Sequence, residues 1–309
     1  MKILKWIFFK GGIIIKVKII YNPSAGRNKG IKDIKILSDE LLNSGHIVKR
    51  VATKKENDAG EETLKAIKNN FDLIIIAGGD GTINEAASTL ASENSNIPLG
   101  IFQFGSVNDF ATYLKITNNP YEYIDLVNRM NTIKIDLGKI GNKYFINVAA
   151  GGLFTNIAHD TPREMKAILG KNAYYLHSIK DLTDKGIYAS NLTFITNDME
   201  ITDNFYFFLV SNSPSIGGFN KLAPTAEIQD GLLDCVFIKK ANFINKIELF
   251  IQILSGKHIE NENVLYFKTK KIKIINNSKN EFEYDIDGEL GGHLPIEIEV
   301  ASSIINILI

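Results

Sequence analysis

The stretch Leu73-Ile74-Ile75-Ile76-Ala77-Gly78-Gly79-Asp80-Gly81-Thr82 decides how the first half of this chain is read. Its apolar, largely β-branched run has the character of a buried strand, and the spacing of Thr82–Ser92 predicts a helix directly after it. A strand that ends in a glycine turn and opens a helix presents backbone N–H groups and the positive end of the helix dipole, a natural seat for phosphate. The glycines let a phosphate come close to the backbone. Asp80 would repel that phosphate unless a cation stood between them, so the pairing points to a nucleotide carrying Mg²⁺.

The same alternation extends outward on both sides. Ile13–Ile20 reads as a buried strand, followed by the turn Asn22-Pro23-Ser24-Ala25-Gly26 and a helical stretch over Ile31–Asn43. Ile47-Val48 with Val51 begins a second strand, Glu61–Asn69 reads helical, Pro98–Phe102 reads as a strand, and Asn108–Leu114 and Pro120–Arg129 read helical. Repeated βα units predict a mostly parallel sheet with helices on both faces. Three polar turns fall at the carboxyl ends of predicted strands, where open α/β sheets bind ligands. They are Asn22–Arg27, the Asp80 loop with Asn84 and Glu85, and Gly105–Phe110. For the third, a helix cap at Ser106 or Asn108 is the plain structural alternative.

After about residue 135 the texture changes to short, alternating, β-branched or aromatic runs. They are Lys143–Val148, Leu192–Thr196, Phe205–Val210, Leu232–Ile238, Val264–Lys268, Lys271–Ile275 and Glu283–Ile286, with helical interruptions at Lys171–Asp184 and Phe243–Leu254. The expected fold class is α/β plus β. A Rossmann-like α/β nucleotide-binding domain spans 13–135, with 293–309 returning to it, and an antiparallel β-sandwich spans 136–292.

Composition narrows the function classes. The 309 residues carry 35 Lys plus Arg and 35 Asp plus Glu, so no nucleic-acid footprint is indicated. The lone Cys235 excludes an intramolecular disulfide and fits the cytosol. The five histidines form no zinc-ligand pair at helix spacing. Lys5, Lys10, Lys16 and Lys18 break the apolar runs of the N-terminus far short of the ~20 residues a membrane span needs, and no small-residue cleavage site follows. Lys2, Lys5, Trp6, Phe8, Phe9 and Lys10 form a candidate membrane contact. Neither the Gly-x-x-x-x-Gly-Lys-Ser/Thr loop nor Gly-x-Gly-x-x-Gly occurs, and the protein-kinase loop pair of His-Arg-Asp and Asp-Phe-Gly is missing.

Taken in order, several segments resemble the catalytic domain of the diacylglycerol kinase family, which also includes sphingosine, ceramide and bacterial lipid kinases. They are Asn22-Pro23…Gly26, Gly78–Thr82 with Asn84-Glu85, Pro98-Leu99-Gly100, and Gly105-Ser106-x-Asn108-Asp109-Phe110-Ala111. Gly217-Gly218-Phe219, Leu222-Ala223-Pro224, Asp230-Gly231-Leu232-Leu233-Asp234 and Asp287-Gly288-Glu289 complete the series. The similarity covers nearly the whole chain after about residue 15 and lies nearest the bacterial diacylglycerol kinases.

The resemblance implies an ATP- and Mg²⁺-dependent kinase that phosphorylates a hydroxyl of diacylglycerol or a related lipid, as part of phospholipid metabolism. It implies that Asn22, Pro23, Ser24, Ala25, Gly26 and Thr53 hold the nucleotide, and that Gly78, Gly79, Asp80, Gly81, Thr82, Asn84, Glu85 and Ser106 cradle its phosphates. Asp80 matches the Mg²⁺-linked carboxylate, Asp136 an acidic position near the active site, and Glu289 the carboxylate that accepts the lipid hydroxyl proton. Asp230, with the backbone carbonyls of Glu227 and Leu232, matches a second Mg²⁺ site that braces the β-sandwich, the lipid-substrate domain. Gln103-Phe104-Gly105-Ser106 departs from the proline and threonine usual there, and Thr112 stands where arginine is common.

The partners expected are a lipid at the membrane surface, reached by peripheral contact from the cytoplasm, and a second copy of the chain at a sheet edge, with no nucleic acid. Two other readings stay open: a soluble-substrate kinase of the NAD kinase type, and a catalytically inactive lipid- or nucleotide-binding homologue.

Overall fold

The computed structural model describes residues 8–9, 12–25, 28–103, 108–152, 189–214, 221–240, 252 and 256–309. The helical stretches expected at 171–184 and 243–254, the Gly217–Phe219 motif, Gly26, Ser106, and Lys2, Lys5, Trp6 and Lys10 lie outside the described residues, save that Gln252 is helical. Two compact units emerge, Met1–Ile135 with Ile304–Ile309, and Asp136–Ser303.

In the first unit a short antiparallel ribbon, β1 (Phe8–Phe9) and β2 (Gly12–Ile13), precedes the sheet strands β3 (Lys16–Tyr21), β4 (Ile47–Ala52), β5 (Leu73–Gly78) and β6 (Leu99–Gln103). Helices α1 (Asn28–Asn43), α2 (Asp58–Lys68), α3 (Asp80–Ser92), α4 (Asp109–Tyr113) and α5 (Pro120–Arg129) connect or follow them. The order is β4-β3-β5-β6, every pair parallel, and Ile307 near the chain end adds a parallel contact beside Leu99. Both faces are covered, which is why β5 is apolar from end to end and buried at every position. The path steps one way from β3 to β4 and the other way from β4 to β5 and β6. Right-handed crossovers therefore put α1 on one face and α2 and α3 on the other. The packing agrees: α1 lies against α5, and α2 against α3. The reversal leaves a switch point between the carboxyl ends of β3 and β5.

One charge is built into this core. Lys18 of β3 is 2% exposed, and its Nζ lies 2.6 Å from the Glu62 carboxylate and 2.7 Å from the Glu62 carbonyl on α2. Burial pulls the Lys18 pKa below the usual amine value despite the Glu62 charge. Burial works to raise Glu62, but its bonds to Lys18 and Lys65 outweigh this and hold it below the usual carboxylate value.

The second unit is an antiparallel β-sandwich. Its strands are β7 (Thr132–Ile140, entering from the first unit), β8 (Lys143–Phe145), β9 (Val148–Gly152), β10 (Ser190–Ile195) and β11 (Glu200–Ser211). β12 (Leu233–Lys239), β13 (Val264–Thr269), β14 (Lys271–Asn276), β15 (Glu283–Ile286), β16 (Glu289–His293) and β17 (Ile296–Leu308) complete it. β11 is longer than its apolar run because it serves two layers. Residues 200–205 pair with β10, and 207–211 pair with β9 and β12 across a bulge at Phe205/Phe207. The enclosed core is aromatic: Phe194 stacks on Phe237 at 3.9 Å between centroids, and Phe237 lies parallel to Phe267 at 5.8 Å.

The adjacent pair Gly291-Gly292 reads from its residue types as a loose turn, yet both are strand residues of β16. A Cβ on Gly291 would fall 2.3 Å from the Tyr284 ring, so the glycine makes room for an aromatic neighbour. β17 also departs from expectation, since residues through Ser303 belong to the sandwich and only Ile304–Ile309 to the first unit.

Glu62→Ala would strand the Lys18 ammonium in the core and should lower stability by about 3 kcal/mol or more, whereas Lys18→Met removes the charge itself and should cost no more than about 1–2 kcal/mol. Urea unfolding of both variants checks this; equal losses would contradict it.

Candidate functional site

Ligands of open α/β sheets enter at the switch point, so the loops after β3 and β5 are the place to look. Asn22, directly after β3, donates its N–H to the Ala77 carbonyl of β5 at 2.9 Å. Its side-chain oxygen accepts the Ser24 N–H at 2.9 Å and its carbonyl accepts the Ala25 N–H at 3.1 Å, closing Asn22-Pro23-Ser24-Ala25 into an Asx turn. Thr53, half-buried just past β4, donates its N–H to the Tyr21 carbonyl at 2.8 Å. Both segments expected to hold a nucleotide thus sit at the carboxyl end of β3.

The two glycines after β5 are there for different reasons. A Cβ on Gly78 would lie 2.6 Å from the Thr82 side chain, so packing forbids one. Gly79, the N-cap of α3, has φ −80 and ψ 179, backbone that any residue adopts, and a Cβ there would meet no atom within 4 Å. Serine or aspartate would cap α3 at least as well. Nothing among the described residues requires glycine at 79. What it leaves is open approach to the first N–H groups of α3, the cradle a phosphate would fill. Half-buried Gly81 and buried Thr82 continue that first turn.

The third loop locks the second. Asn108 Nδ2 donates to the Gly78 carbonyl at 3.0 Å while its Oδ1 accepts the Ala111 N–H at 3.2 Å, so one buried side chain caps α4 and binds the end of β5. The Asp80 carboxylate accepts the N–H groups of Asp109 at 3.3 Å and Phe110 at 3.4 Å. Asn84 accepts from Ser88 at 3.4 Å within α3. Glu85, expected among the phosphate ligands, turns to α2 and accepts the Ala59 N–H at 3.0 Å. That bond serves α2, whose N-cap Asn57 is left-handed and makes no side-chain cap.

In the second unit, Asp136 is 1% exposed, with Oδ1 accepting the Ser303 N–H at 2.6 Å and Oδ2 the Gly231 N–H at 2.7 Å. Its own N–H donates to the Ile228 carbonyl at 2.7 Å, and its carbonyl accepts Asn212 Nδ2 at 2.9 Å. Those contacts hold loops together.

Glu289 opens β16 and is exposed, following a two-residue turn in which Asp287 (φ 49) and Gly288 (φ 85) are both left-handed. The turn is anchored by Asp287, whose carboxylate accepts the N–H groups of Ile146 at 2.9 Å, Asn147 at 3.0 Å and Val148 at 2.8 Å. Burial pushes the Asp287 carboxyl up to about 6, the three amides pull the other way, and the Glu289 charge adds to the rise. Sequence reading passed over Asp287 as an anchor, although an Asp-Gly pair ahead of a strand is the signal of such a turn.

The expected second Mg²⁺ site meets an obstacle. Asp230 Oδ1 accepts the Leu232 N–H at 2.9 Å, and Oδ2 is held by Lys268 Nζ at 2.8 Å. Glu227 is exposed, and its part in the expected site, like that of Leu232, is a backbone carbonyl. With Lys268 in place, the donor set at Asp230 does not fit a divalent cation.

Comparison with known proteins places these features in context. Residues 16–140 match the family described as diacylglycerol kinase catalytic domain, and residues 148–309 match the YegS C-terminal NAD kinase beta sandwich-like domain. A diacylglycerol kinase of Staphylococcus haemolyticus is 34% identical over 278 residues, covering 90% of this chain and 83% of the relative. One from Staphylococcus aureus is 32% identical over 280 residues, covering 91% and 88%. A crystal structure from Bacillus anthracis, provisionally assigned as a diacylglycerol kinase, superposes with a TM-score of 0.80 at 28% identity, covering 95% of this chain and 94% of its own.

Gly79→Ala should fold with a stability loss of no more than about 1 kcal/mol, because its backbone is ordinary and no described residue lies against the added methyl, yet should weaken ATP binding at least roughly tenfold by blocking approach to the α3 amides. Thermal unfolding and nucleotide titration calorimetry on one preparation check both halves; unchanged ATP affinity would contradict the phosphate seat.

Proposed function

The chain belongs to the diacylglycerol kinase catalytic-domain family, and from that premise we propose that it is an ATP-dependent lipid kinase acting on diacylglycerol or a related lipid alcohol. The observation that carries the reading is the loop at the switch point. Gly79 is a glycine that neither its backbone nor any described neighbour needs, at the first amides of α3, and Asn108 fixes the loop in place.

In this reading the Asn22–Ala25 turn and Thr53 bind the nucleoside part of ATP, and the amides from Gly79 into α3 hold its phosphates. Neutralisation of the phosphoryl charge is the chemistry that Mg²⁺ carried with ATP would supply, and Asp80 is the carboxylate positioned to hold it. The lipid hydroxyl oxygen attacks the γ-phosphorus, the bond to the β–γ bridging oxygen breaks, and ADP leaves. The hydroxyl proton passes to Glu289, which is exposed and opens β16 just after an anchored turn. Asp136 and Asp287 have no step of their own; Asp136 ties together the backbone at Gly231 and Ser303, and Asp287 anchors the turn that leads to Glu289.

Diacylglycerol resides in bilayers, so the enzyme meets it at a membrane surface. Among the described residues no helix is long and apolar enough to cross a membrane. The soluble-substrate reading has one observation in its favour, the NAD kinase-like description of the second half.

Incubation with γ-labelled ATP, Mg²⁺ and either diacylglycerol in mixed micelles or NAD separates the two. Labelled phosphatidic acid is expected, with the rate falling on the order of 10²–10⁴-fold in Glu289→Gln and lost in Asp80→Ala. Labelled NADP without lipid product would refute the lipid assignment, and full activity in both variants would refute the roles given to Asp80 and Glu289.

A further inference from the structure

We propose that the Lys268 ammonium is the resident cation of the acidic turn in the second unit, and that this turn takes up no divalent metal. Asp234 of β12 and Lys268 of β13 are direct cross-strand partners in antiparallel register, so their side chains leave the sheet on one face. Tyr266, two residues before Lys268, shares that face. Lys268 Nζ lies 2.8 Å from Asp230 Oδ2, 2.7 Å from the Thr225 carbonyl and 3.5 Å from Asp234 Oδ2. Asp234 Oδ1 accepts the Thr225 hydroxyl at 2.8 Å and the Tyr266 hydroxyl as well.

Two carboxylates and a backbone carbonyl are the oxygen donors that a hard divalent ion prefers. Here those oxygens surround an ammonium. Asp234 is 1% exposed and its Oδ2 has no hydrogen-bond donor among the described residues, so the Lys268 charge is what offsets a carboxylate withdrawn from water. An ion entering at Asp230 would face that ammonium at repulsive range. It could settle only if Lys268 withdrew, and withdrawal would leave Asp234 buried without a counter-charge. The tethered cation therefore excludes the free one. Its site is legible only in three dimensions, because Asp230, Asp234 and Lys268 meet through strand register and a turn rather than through sequence spacing.

The test uses the full chain without nucleotide, stripped with EDTA and then melted with and without excess MgCl₂. The wild type should have one melting midpoint in both conditions and retain no divalent ion by elemental analysis. Lys268→Met should melt lower by on the order of 5–10 °C in EDTA and recover in MgCl₂, and adding Asp230→Asn should abolish that recovery. Lys268→Arg should behave as wild type. A wild type that holds a stoichiometric divalent ion, or whose midpoint climbs saturably with MgCl₂, overturns the proposal, as does a Lys268→Met protein that ignores MgCl₂. Should Lys268→Met fail to fold, the wild-type metal content and melts decide alone.

Discussion

The side chain of Asn108, buried between the end of β5 and the start of α4, is the constraint on which the first unit's loops depend. It gives one bond to the Gly78 carbonyl and takes one from the Ala111 amide, so a single residue satisfies a strand end and a helix start. Neither bond is optional, because each buried partner left unpaired would cost about 1–3 kcal/mol. Fixing α4 in this way also presents the amides of Asp109 and Phe110 to Asp80. On the other side, the Asn22 amide ties the first loop to Ala77. The glycine turn at 78–81 is thereby held from both flanks while Gly79 itself stays open. Such a loop is fixed by the protein's own hydrogen bonds, and donors held in place are what phosphoryl transfer exploits.

The second unit uses the same device with carboxylates. Asp136 gathers amides from Ser303 and Gly231, and Asp287 gathers three from Ile146 to Val148. Both acidic residues cross-link segments far apart in sequence. These acidic positions differ in exposure: buried Asp136 and half-buried Asp287 hold the scaffold, while Glu289 is exposed. Asp230 and Asp234 fall on neither side, because Lys268 has already taken their charge.

Much of this was legible before any coordinates. The Leu73–Ala77 run, the βα alternation and the later shift to alternating β-rich segments all reflect burial patterns that periodicity reports directly, and the structure follows them. Asn108 as a helix cap was also within reach, since its residue type announces it. What escaped depends on partners distant along the chain. Glu85 caps α2 only because α2 packs on α3 and Asn57 cannot do so. The hold of Asp136 on Ser303 and Gly231 spans 167 and 95 residues of sequence, so no local pattern announces it. Gly291 reads as a turn residue until the Tyr284 ring is seen lying where a side chain would go. In each instance local propensity was overridden by a tertiary neighbour.

Hydrogen exchange of the amides from Gly79 to Ile83, compared with and without ATP and Mg²⁺, tests most directly whether this loop is the phosphate seat. Marked slowing there, with slowing also at Asp109 to Ala111 through the Asp80 link, is expected on nucleotide addition. Saturable ATP binding that leaves exchange at these amides unchanged, while protecting another part of the chain, would contradict it.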